Sequence, residues 1–533
     1  MQKLLLLGDE AIAQAAIDAG ISGIYAYPGT PSTEITEYVQ HSKEAKERGI
    51  RSAWAANEKT ATEGALGMSY AGKRTMVCMK HVGLNVAADP FVNSAITGAN
   101  GGIIYVIADD PSMHSSQNEQ DSRFFGKFAL IPILEPSTQQ EAYDMVHYGF
   151  DISEKYKVPV MLRITTRLAH SRAGVVRKEI RAQNEIKLPE DLRQFVLLPA
   201  IARKRYKMLL NNQEAFENES HTNFNTYKDG TDKSLGIIAC GIAYNYLMEN
   251  YPKRDIPYPV LKLNQYPVPR TLIKKLVDEC DEILVLEDGF PIVEEQLKGL
   301  LSIGLKVRGR LDGSIPRDGE LNPNIVATSL GMKVSVGMDI PSLVAARPPS
   351  LCKGCPHIDS YAALTEALTA YGPGRVFSDI GCYTLGALKP YEAINSCVDM
   401  GASITMAKGA SDAGLTPAVA VIGDSTFTHS GMTGLLDAVN NKNNITVVIL
   451  DNATTGMTGG QDSAAFGKIE DICKGLGVEE EHIRVLKPLR QKHDENLKVF
   501  QEELAYDGVS VIIPRRECIV TLNKRMRAKF KQK

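Results

Sequence analysis

The chain has 533 residues, 44% of them hydrophobic and 23% charged, the balance of an ordinary soluble globular protein. Sixty lysines and arginines stand against 63 acids, a formal charge of −3, which excludes a nucleic-acid binder because neutralising phosphates takes a basic excess. No apolar run approaches the ~20 residues of a membrane span, and residues 1–10 reach an acid after four leucines, so they read as a first strand rather than a signal peptide.

A reducing cytoplasm is therefore the expected compartment, with the nine cysteines as thiols or metal ligands. Short β-branched runs alternate with helical stretches, the pattern of parallel α/β structure. The strand at 4–7 leads into a helix over 11–17, with Asp9 as its N-cap and Gly20 as its stop. Strands at 23–27, 75–79, 103–108 and 158–165 complete a doubly wound domain over residues 1–175. No glycine occurs from 175 to 229, and charges crowd that stretch, so 176–232 reads as a helical connector. Strands at 235–240 and 282–287 mark a smaller α/β domain over 233–340, and Pro341, Pro348 and Pro349 mark a linker. Strands at 375–380, 418–422, 445–450 and 509–513 give a second doubly wound domain over 341–533. The expected fold class is α/β: two doubly wound parallel-sheet domains with a smaller one between.

The strongest local signal lies in the last domain. The strand over 418–422 ends at Gly423-Asp424-Ser425, a helix follows over 434–439, and the next strand ends at Asp451-Asn452. Parallel strands joined by a helix are usually neighbours, which places Asp424 and Asn452 side by side at the carboxyl edge, where open α/β sheets bind ligands. One carboxylate and one amide oxygen suit Mg²⁺, and the glycine-rich stretch 454–460 offers backbone N–H groups to a diphosphate. Either dipeptide alone is explained by a turn. Together they resemble the thiamine diphosphate motif, which implies that Asp424, Asn452 and the carbonyl of Thr454 hold Mg²⁺, with Gly381, Gly423, Ser425 and Gly456 as further cofactor-binding positions. Ser425 stands where many such enzymes have glycine.

Cys352-Lys353-Gly354-Cys355 puts two thiols within reach of one metal centre, while Cys382 and Cys518 each follow a strand of the same domain. If those strands are parallel, four thiolates share the edge with Asp424 and Asn452 and can surround a [4Fe–4S] cluster. Half of a zinc site and a redox dithiol are the competing readings. Cys397 competes for the fourth ligand place, and Cys78, Cys240, Cys280 and Cys473 read as core thiols.

The N-terminal domain adds Tyr27-Pro28-Gly29-Thr30-Pro31-Ser32-Thr33-Glu34, the small-residue helix after Asn57-Glu58, Lys80-His81-Val82-Gly83-Leu84-Asn85 and the polar stretch 109–123. With Cys352-Lys353-Gly354-Cys355-Pro356-His357, these segments resemble the 2-oxoacid:ferredoxin oxidoreductase family over about residues 3–520, most closely the alpha subunits that act on indolepyruvate. The resemblance implies a pyrimidine-side thiamine domain over 1–175, a transketolase C-terminal-like domain over 233–340, and a diphosphate-side domain with the cluster over 341–533. It implies that Glu58 hydrogen-bonds the aminopyrimidine N1′, with Glu63 as the nearer rival, and that Thr30 contacts substrate or pyrimidine. Arg123 is the candidate for the 2-oxo acid carboxylate, since guanidinium binds carboxylates in a bidentate fork. Lys80 and His81 bear on the larger substrate or support the site from behind. His357 and His429 sit beside motifs and could shuttle protons, structural roles being the simpler reading.

The usual long form of the family ends in a cysteine-rich ferredoxin-like domain, whereas this chain stops at Lys533 after a basic tail. Electrons from the single expected cluster then pass to ferredoxin directly or through a separate cluster subunit. The activity implied is oxidative decarboxylation of an aryl 2-oxo acid, such as indolepyruvate or phenylpyruvate, with CoA and ferredoxin, completed by a smaller gamma-type subunit. Two readings oppose it: a non-oxidative thiamine-dependent decarboxylase with structural zinc, and a non-enzymatic scaffold that kept the fold.

Overall fold

Parallel strands dominate both units into which the chain divides, Met1–Met338 and Asp339–Lys533. The computed structural model describes residues 3–191, 193–299, 304–334, 337–345 and 349–531. Of the positions singled out above, Met1, Gln2, Pro348, Gln532 and Lys533 lie outside the described residues.

In the first unit a seven-stranded sheet runs in the order Gln265–Tyr266, Ile133–Leu134, Val160–Thr165, Ile103–Asp109, Thr75–Lys80, Gly23–Ala26, Arg51–Trp54. Its neighbours are parallel except for the outer Gln265–Tyr266. The three central strands are buried at every position because helices cover both faces. Met76, Cys78, Ile104, Val106 and Leu162 pack on the side of helices Gly8–Asp18 and Gln139–Tyr156. Val77, Met79, Tyr105, Ile107 and Met161 pack on the side of Glu58–Tyr70 and Ala88–Thr97. The two-residue strand period thus feeds two cores at once.

The leucine-rich first strand stays out of this sheet. Lys3–Leu7 forms an antiparallel ribbon with Arg172–Val176. Leu5 is 69% exposed while Leu6 is buried, so four leucines in a row supply only one inward face. Nor does Asp9 cap the following helix, which begins at Gly8. The Leu7 N–H donates to Glu10 Oε2 at 2.8 Å instead, and Asp9 is buried within the first turn.

The glycine-free stretch holds helices Pro199–Asn211 and Gln213–Thr222 and then Thr226–Lys228, an antiparallel edge strand. That strand closes a five-stranded sheet ordered Val307–Arg308, Ile283–Leu286, Gly236–Cys240, Val260–Leu263, Thr226–Lys228.

The second unit is built on a six-stranded, all-parallel sheet ordered Ser396–Cys397, Val376–Ser378, Ala418–Gly423, Ile445–Leu450, Val509–Pro514, Ile483–Leu486. Gly423 pairs with Leu450, and an isolated bridge joins Asp451 to Arg515, so the chain leaves three adjacent strands at one level. Among the described residues no helix is long and apolar enough to cross a membrane.

Candidate functional site

That level edge in the second unit collects the polar groups. Asp424 opens a helical segment that passes through a π-turn, Phe427–Gly431, into the helix Met432–Asn440. Such turns favour functional positions because they break the regular backbone ladder. Asp424 is 2% exposed, and its Oδ2 has no hydrogen-bond partner. Burial, with Asp451 adding repulsion, pushes its carboxyl up to about 7. Asp451 itself is held by Arg515, whose Nε donates at 2.6 Å. On the next strand exit Asn452 Oδ1 accepts the Thr454 N–H at 3.2 Å, which orients the amide. Ala453 between them takes φ +61°, turning the chain sharply behind the strand. The glycine-rich stretch then folds as a short hairpin of Thr454–Thr455 and Gln461–Asp462, and Ser425 Oγ lies 2.9 Å from Thr455 Oγ1.

The cysteines converge on the same edge. The Cys355 N–H donates to the Cys352 carbonyl at 2.9 Å, closing the turn that brings the pair together. Arg516 bridges this turn to the last strand through the Gly354 carbonyl at 2.9 Å, and the Cys518 N–H donates to the Asn452 carbonyl at 3.1 Å. Cys382 Sγ lies 3.7 Å from Asn452 Nδ2 and 3.3 Å from His357 Nε2. Burial pushes the Cys382 thiol up to about 12, with Cys355, Cys518, Asp424 and Cys352 all opposing its ionisation. Burial likewise raises Cys355 to about 11, with Cys352 and Cys518 again among the groups that add to the rise. These thiols therefore share one electrostatic neighbourhood. Cys397 stands apart: its Sγ faces the Asp379 carbonyl at 3.7 Å, and the charges that raise its thiol are Asp379 and Asp399, no sulfur among them. No three of the four clustered sulfurs lie within 4.8 Å of one another.

In the first unit a second group gathers at the carboxyl edge of the seven-stranded sheet. Glu58 is the first residue of its helix, which Asn57 caps by accepting the Thr60 N–H at 2.8 Å. The Glu58 side chain is 6% exposed, whereas Glu63 is exposed and paired with Lys59. A side-chain carbon at Gly83 would meet Glu58 Oε1 at 2.5 Å, so the bare glycine makes room for the carboxylate. Lys80 ends its strand, and its Nζ donates to the Ser115 carbonyl at 2.7 Å. Ser115 Oγ in turn donates to the Thr30 carbonyl at 3.3 Å. Burial lowers the Lys80 ammonium to about 8 against the pull of Asp110. His81, next in the chain, is buried with neither ring nitrogen hydrogen-bonded. Glu58 is thus linked to Gly83, and Thr30, Ser115 and Lys80 form one hydrogen-bonded chain.

Arg123 is not with them. It is fully buried, with Nη2 on Asp121 Oδ2 at 2.5 Å and on the Phe290 carbonyl at 2.9 Å, and Nη1 on Glu287 Oε2 at 3.0 Å and the Tyr266 hydroxyl at 3.2 Å. Burial, which opposes ionisation of Asp121, is outweighed by Arg123 and Arg163, which hold that carboxyl down to about 2. A guanidinium already forked onto an internal carboxylate has no face left for a substrate, and the expectation that Arg123 binds one is corrected. The Asp-Ser-Arg run looked like a polar loop; only the fold buries it.

Two family models match: "Thiamine pyrophosphate enzyme, C-terminal TPP binding domain" over residues 379–513, and "Pyruvate flavodoxin/ferredoxin oxidoreductase, thiamine diP-bdg" over residues 14–227. The indolepyruvate oxidoreductase subunit IorA of Archaeoglobus fulgidus is 40% identical over 99% of this chain and 89% of its own length. The chain belongs to the indolepyruvate oxidoreductase IorA subunit family. The IorA subunit of Pyrococcus abyssi is 38% identical over 100% of this chain and 88% of its own length. A solved 2-oxoglutarate:ferredoxin oxidoreductase from Magnetococcus marinus superposes with a TM-score of 0.51 at 17% identity, covering 62% of this chain and 65% of that one, and shares the fold.

As an IorA-family oxidoreductase subunit of this α/β class, the chain carries thiamine-binding domains, and its residues fit the groups such domains hold. The orphaned Asp424 Oδ2 belongs to a buried carboxyl beside a second acid, a costly place for a negative charge that a divalent cation would offset. Asp424, Asn452 and a backbone carbonyl form an all-oxygen donor set of the kind Mg²⁺ takes. Two further positions belong to this edge. His357 Nε2 accepts from Asn452 Nδ2 at 3.2 Å, and burial, with Arg516 adding, lowers its imidazole to about 4, which keeps it neutral. Ser463 is hydrogen-bonded to the Asp424 carboxylate. His357 had a signal in its place after Cys355-Pro356, and Gly83 in the Lys80–Asn85 segment; Ser463 had none.

Proposed function

We propose that this chain is the thiamine-carrying subunit of an enzyme that oxidatively decarboxylates aryl 2-oxo acids, indolepyruvate or phenylpyruvate. The 2-oxo acid, CoA and two oxidised ferredoxins give aryl-acetyl-CoA, CO₂, a proton and two reduced ferredoxins. The observation that carries this reading is the meeting of four thiols with Asp424 and Asn452 at one sheet edge, tied by the Cys518–Asn452 hydrogen bond. When bound, thiamine diphosphate supplies an electron sink for decarboxylation, and an adjacent [4Fe–4S] cluster supplies a one-electron exit. In this reading Cys352, Cys355, Cys382 and Cys518 hold the cluster, while Asp424, Asn452 and the Thr454 carbonyl hold Mg²⁺.

In this reading Gly381, Gly423, Ser425 and Gly456 offer polar donors to the diphosphate; the bare Cα at Gly381 and Gly423 makes room for the Tyr383 ring, which a side-chain carbon would meet at 2.6 Å from Gly423 and closer still from Gly381, and one at Gly456 would come within 3.4 Å of Cys382 Sγ. Glu58 holds the aminopyrimidine N1′ in the protonated form that lets its amino group act as a base. Lys80, desolvated and tethered by Ser115, offers its ammonium to the substrate carboxylate, and Thr30 and His81 line the same edge. The names of the relatives, each a subunit, support a hetero-oligomer in which a smaller gamma-type chain completes the enzyme and ferredoxin takes the electrons. A cytoplasmic enzyme is the setting such a reductant requires.

The test is an anaerobic assay of the chain with its partner subunit, CoA and a low-potential acceptor, offering indolepyruvate, phenylpyruvate, pyruvate and 2-oxoglutarate. Acceptor reduction with the two aryl acids at kcat/KM at least tenfold above the others is expected. No reduction with any 2-oxo acid removes the reading, and a preference for pyruvate or 2-oxoglutarate removes its aryl part.

A further inference from the structure

Asp9 poses a problem that the cofactor-bearing edges do not solve. Its carboxylate is fully buried, neither oxygen has a hydrogen-bond partner, and nearby Glu34 and Glu10 add repulsion to the cost of burial. An unpaired carboxylate in that position is strongly disfavoured unless it is neutralised or joined by a cation.

One carboxylate oxygen of Asp9, one of Glu34 and one ring nitrogen of His170 all lie within 4.8 Å of one another, with His170 Nε2 3.7 Å from Glu34 Oε1. The three come from different elements. Asp9 lies in the first turn of helix Gly8–Asp18, Glu34 in the first turn of Thr33–His41, and His170 ends the short helix Thr166–His170. The first helix packs against both of the others, so the arrangement is fixed by tertiary contacts. The His170 and Glu34 side chains are 37% and 38% exposed, so two of the three groups are reached from solvent.

We propose that Asp9, Glu34 and His170 form a metal site for a borderline divalent transition ion, Zn²⁺ or its like, with water completing the shell. Two carboxylates cancel the charge of one divalent ion, and the imidazole selects against Mg²⁺ and Ca²⁺, which prefer all-oxygen shells. Bound metal ties three helix ends together beside the turn that carries Thr30, since Glu34 opens the helix directly after that turn.

Cobalt is the probe, because its spectrum separates nitrogen and oxygen ligation from thiolate ligation. Co²⁺ is titrated, with excess Mg²⁺ present, into chelator-treated full-length protein whose thiols have been capped with N-ethylmaleimide, wild type, His170→Ala, Asp9→Asn and Cys352→Ser. The expected result is one equivalent bound with ligand-field absorption and no thiolate-to-cobalt charge transfer. Affinity falls at least tenfold in His170→Ala and Asp9→Asn and is unchanged in Cys352→Ser. His170 is exposed, so its alanine variant keeps the fold even where Asp9→Asn does not. Zn²⁺ raises Tm in wild type and not in His170→Ala. Binding that shows only charge-transfer bands, no binding in wild type, or undiminished binding in His170→Ala overturns the proposal.

Discussion

The Cys518 backbone N–H donates a 3.1 Å hydrogen bond to the carbonyl of Asn452, joining a proposed cluster ligand to a proposed magnesium ligand through a single backbone contact. Cys518→Ser is expected to lose most of the iron and acid-labile sulfide of anaerobically isolated protein, to well under half of wild type. Cys397→Ser, whose sulfur faces the Asp379 carbonyl away from the other thiols, is expected to keep full content. Equal losses in both variants would move the fourth ligand elsewhere.

Glu58 can be tested from two sides. Glu58→Gln removes the proton that N1′ needs and is expected to cut kcat by about 10²–10⁴, the range of general acid–base contributions. Gly83→Ala leaves Glu58 in place yet puts a methyl 2.5 Å from its Oε1. Gly83 lies in the helix His81–Val86, where alanine is intrinsically better by about 0.5–1 kcal/mol. A fall in kcat of at least tenfold without a loss of Tm therefore reports displacement of the carboxylate; unchanged kcat would show that this contact does not matter.

Asp424 is raised to about 7 by burial and by Asp451, so a proton and a divalent cation compete for it. Affinity for thiamine diphosphate with Mg²⁺, followed by tryptophan fluorescence or calorimetry, should weaken as pH falls below about 7. Asp424→Asn is expected to lose about 10²-fold in affinity, within the few kcal/mol of a lost charged ligand, and to flatten that pH dependence. A flat wild-type profile from pH 6 to 8 would count against it.

Arg123 is expected to matter for stability, with no selective effect on substrate affinity. Arg123→Gln leaves Asp121 and Glu287 buried without their main cation, a loss of about 3–5 kcal/mol. Urea unfolding should show the drop, while KM for the 2-oxo acid in the surviving folded fraction stays within about twofold. A selective rise in KM at unchanged stability would restore the substrate-binding role.

His147 gives the fold an acid limit. It is 2% exposed with neither ring nitrogen hydrogen-bonded, and burial, with Arg181 and Lys178 adding, lowers it to about 4. Between about 4 and its ordinary value near 6.5 the unfolded chain binds the proton and the folded one does not. Stability contributed by the neutral ring is complete above about 6.5 and is lost as pH falls towards 4, by up to about 3 kcal/mol. His147→Leu should flatten the dependence of Tm over pH 4–6.5 relative to wild type; an identical slope would refute it.

Much of this was legible in the chain order alone. The Gly423-Asp424 and Asp451-Asn452 exits, the helix between them and the Cys352–Cys355 pair follow from short-range patterns: strand period, helix punctuation and ligand spacing. Such patterns depend on neighbours in sequence, so they survive without coordinates. The same logic placed the strand at Lys3–Leu7 but not its partner: it pairs with Arg172–Val176 outside the main sheet, because an inward face needs a partner surface that hydrophobicity alone does not specify. It failed at Asp9, which capped nothing and was buried instead.

What only the tertiary structure decided is which polar groups are taken. The sequence by itself determined the α/β class, the thiamine motif and the set of cysteines from which the proposed cluster ligands are drawn. Whether Arg123 faces a substrate or an internal Asp121, whether Glu58 or Glu63 is buried, and whether Cys518 or Cys397 joins the other thiols depended on residues more than a hundred positions away or on another strand's exit. Burial and charge pairing are properties of the assembled surroundings, since the cost of a charge is set by what encloses it rather than by the residues beside it in the chain.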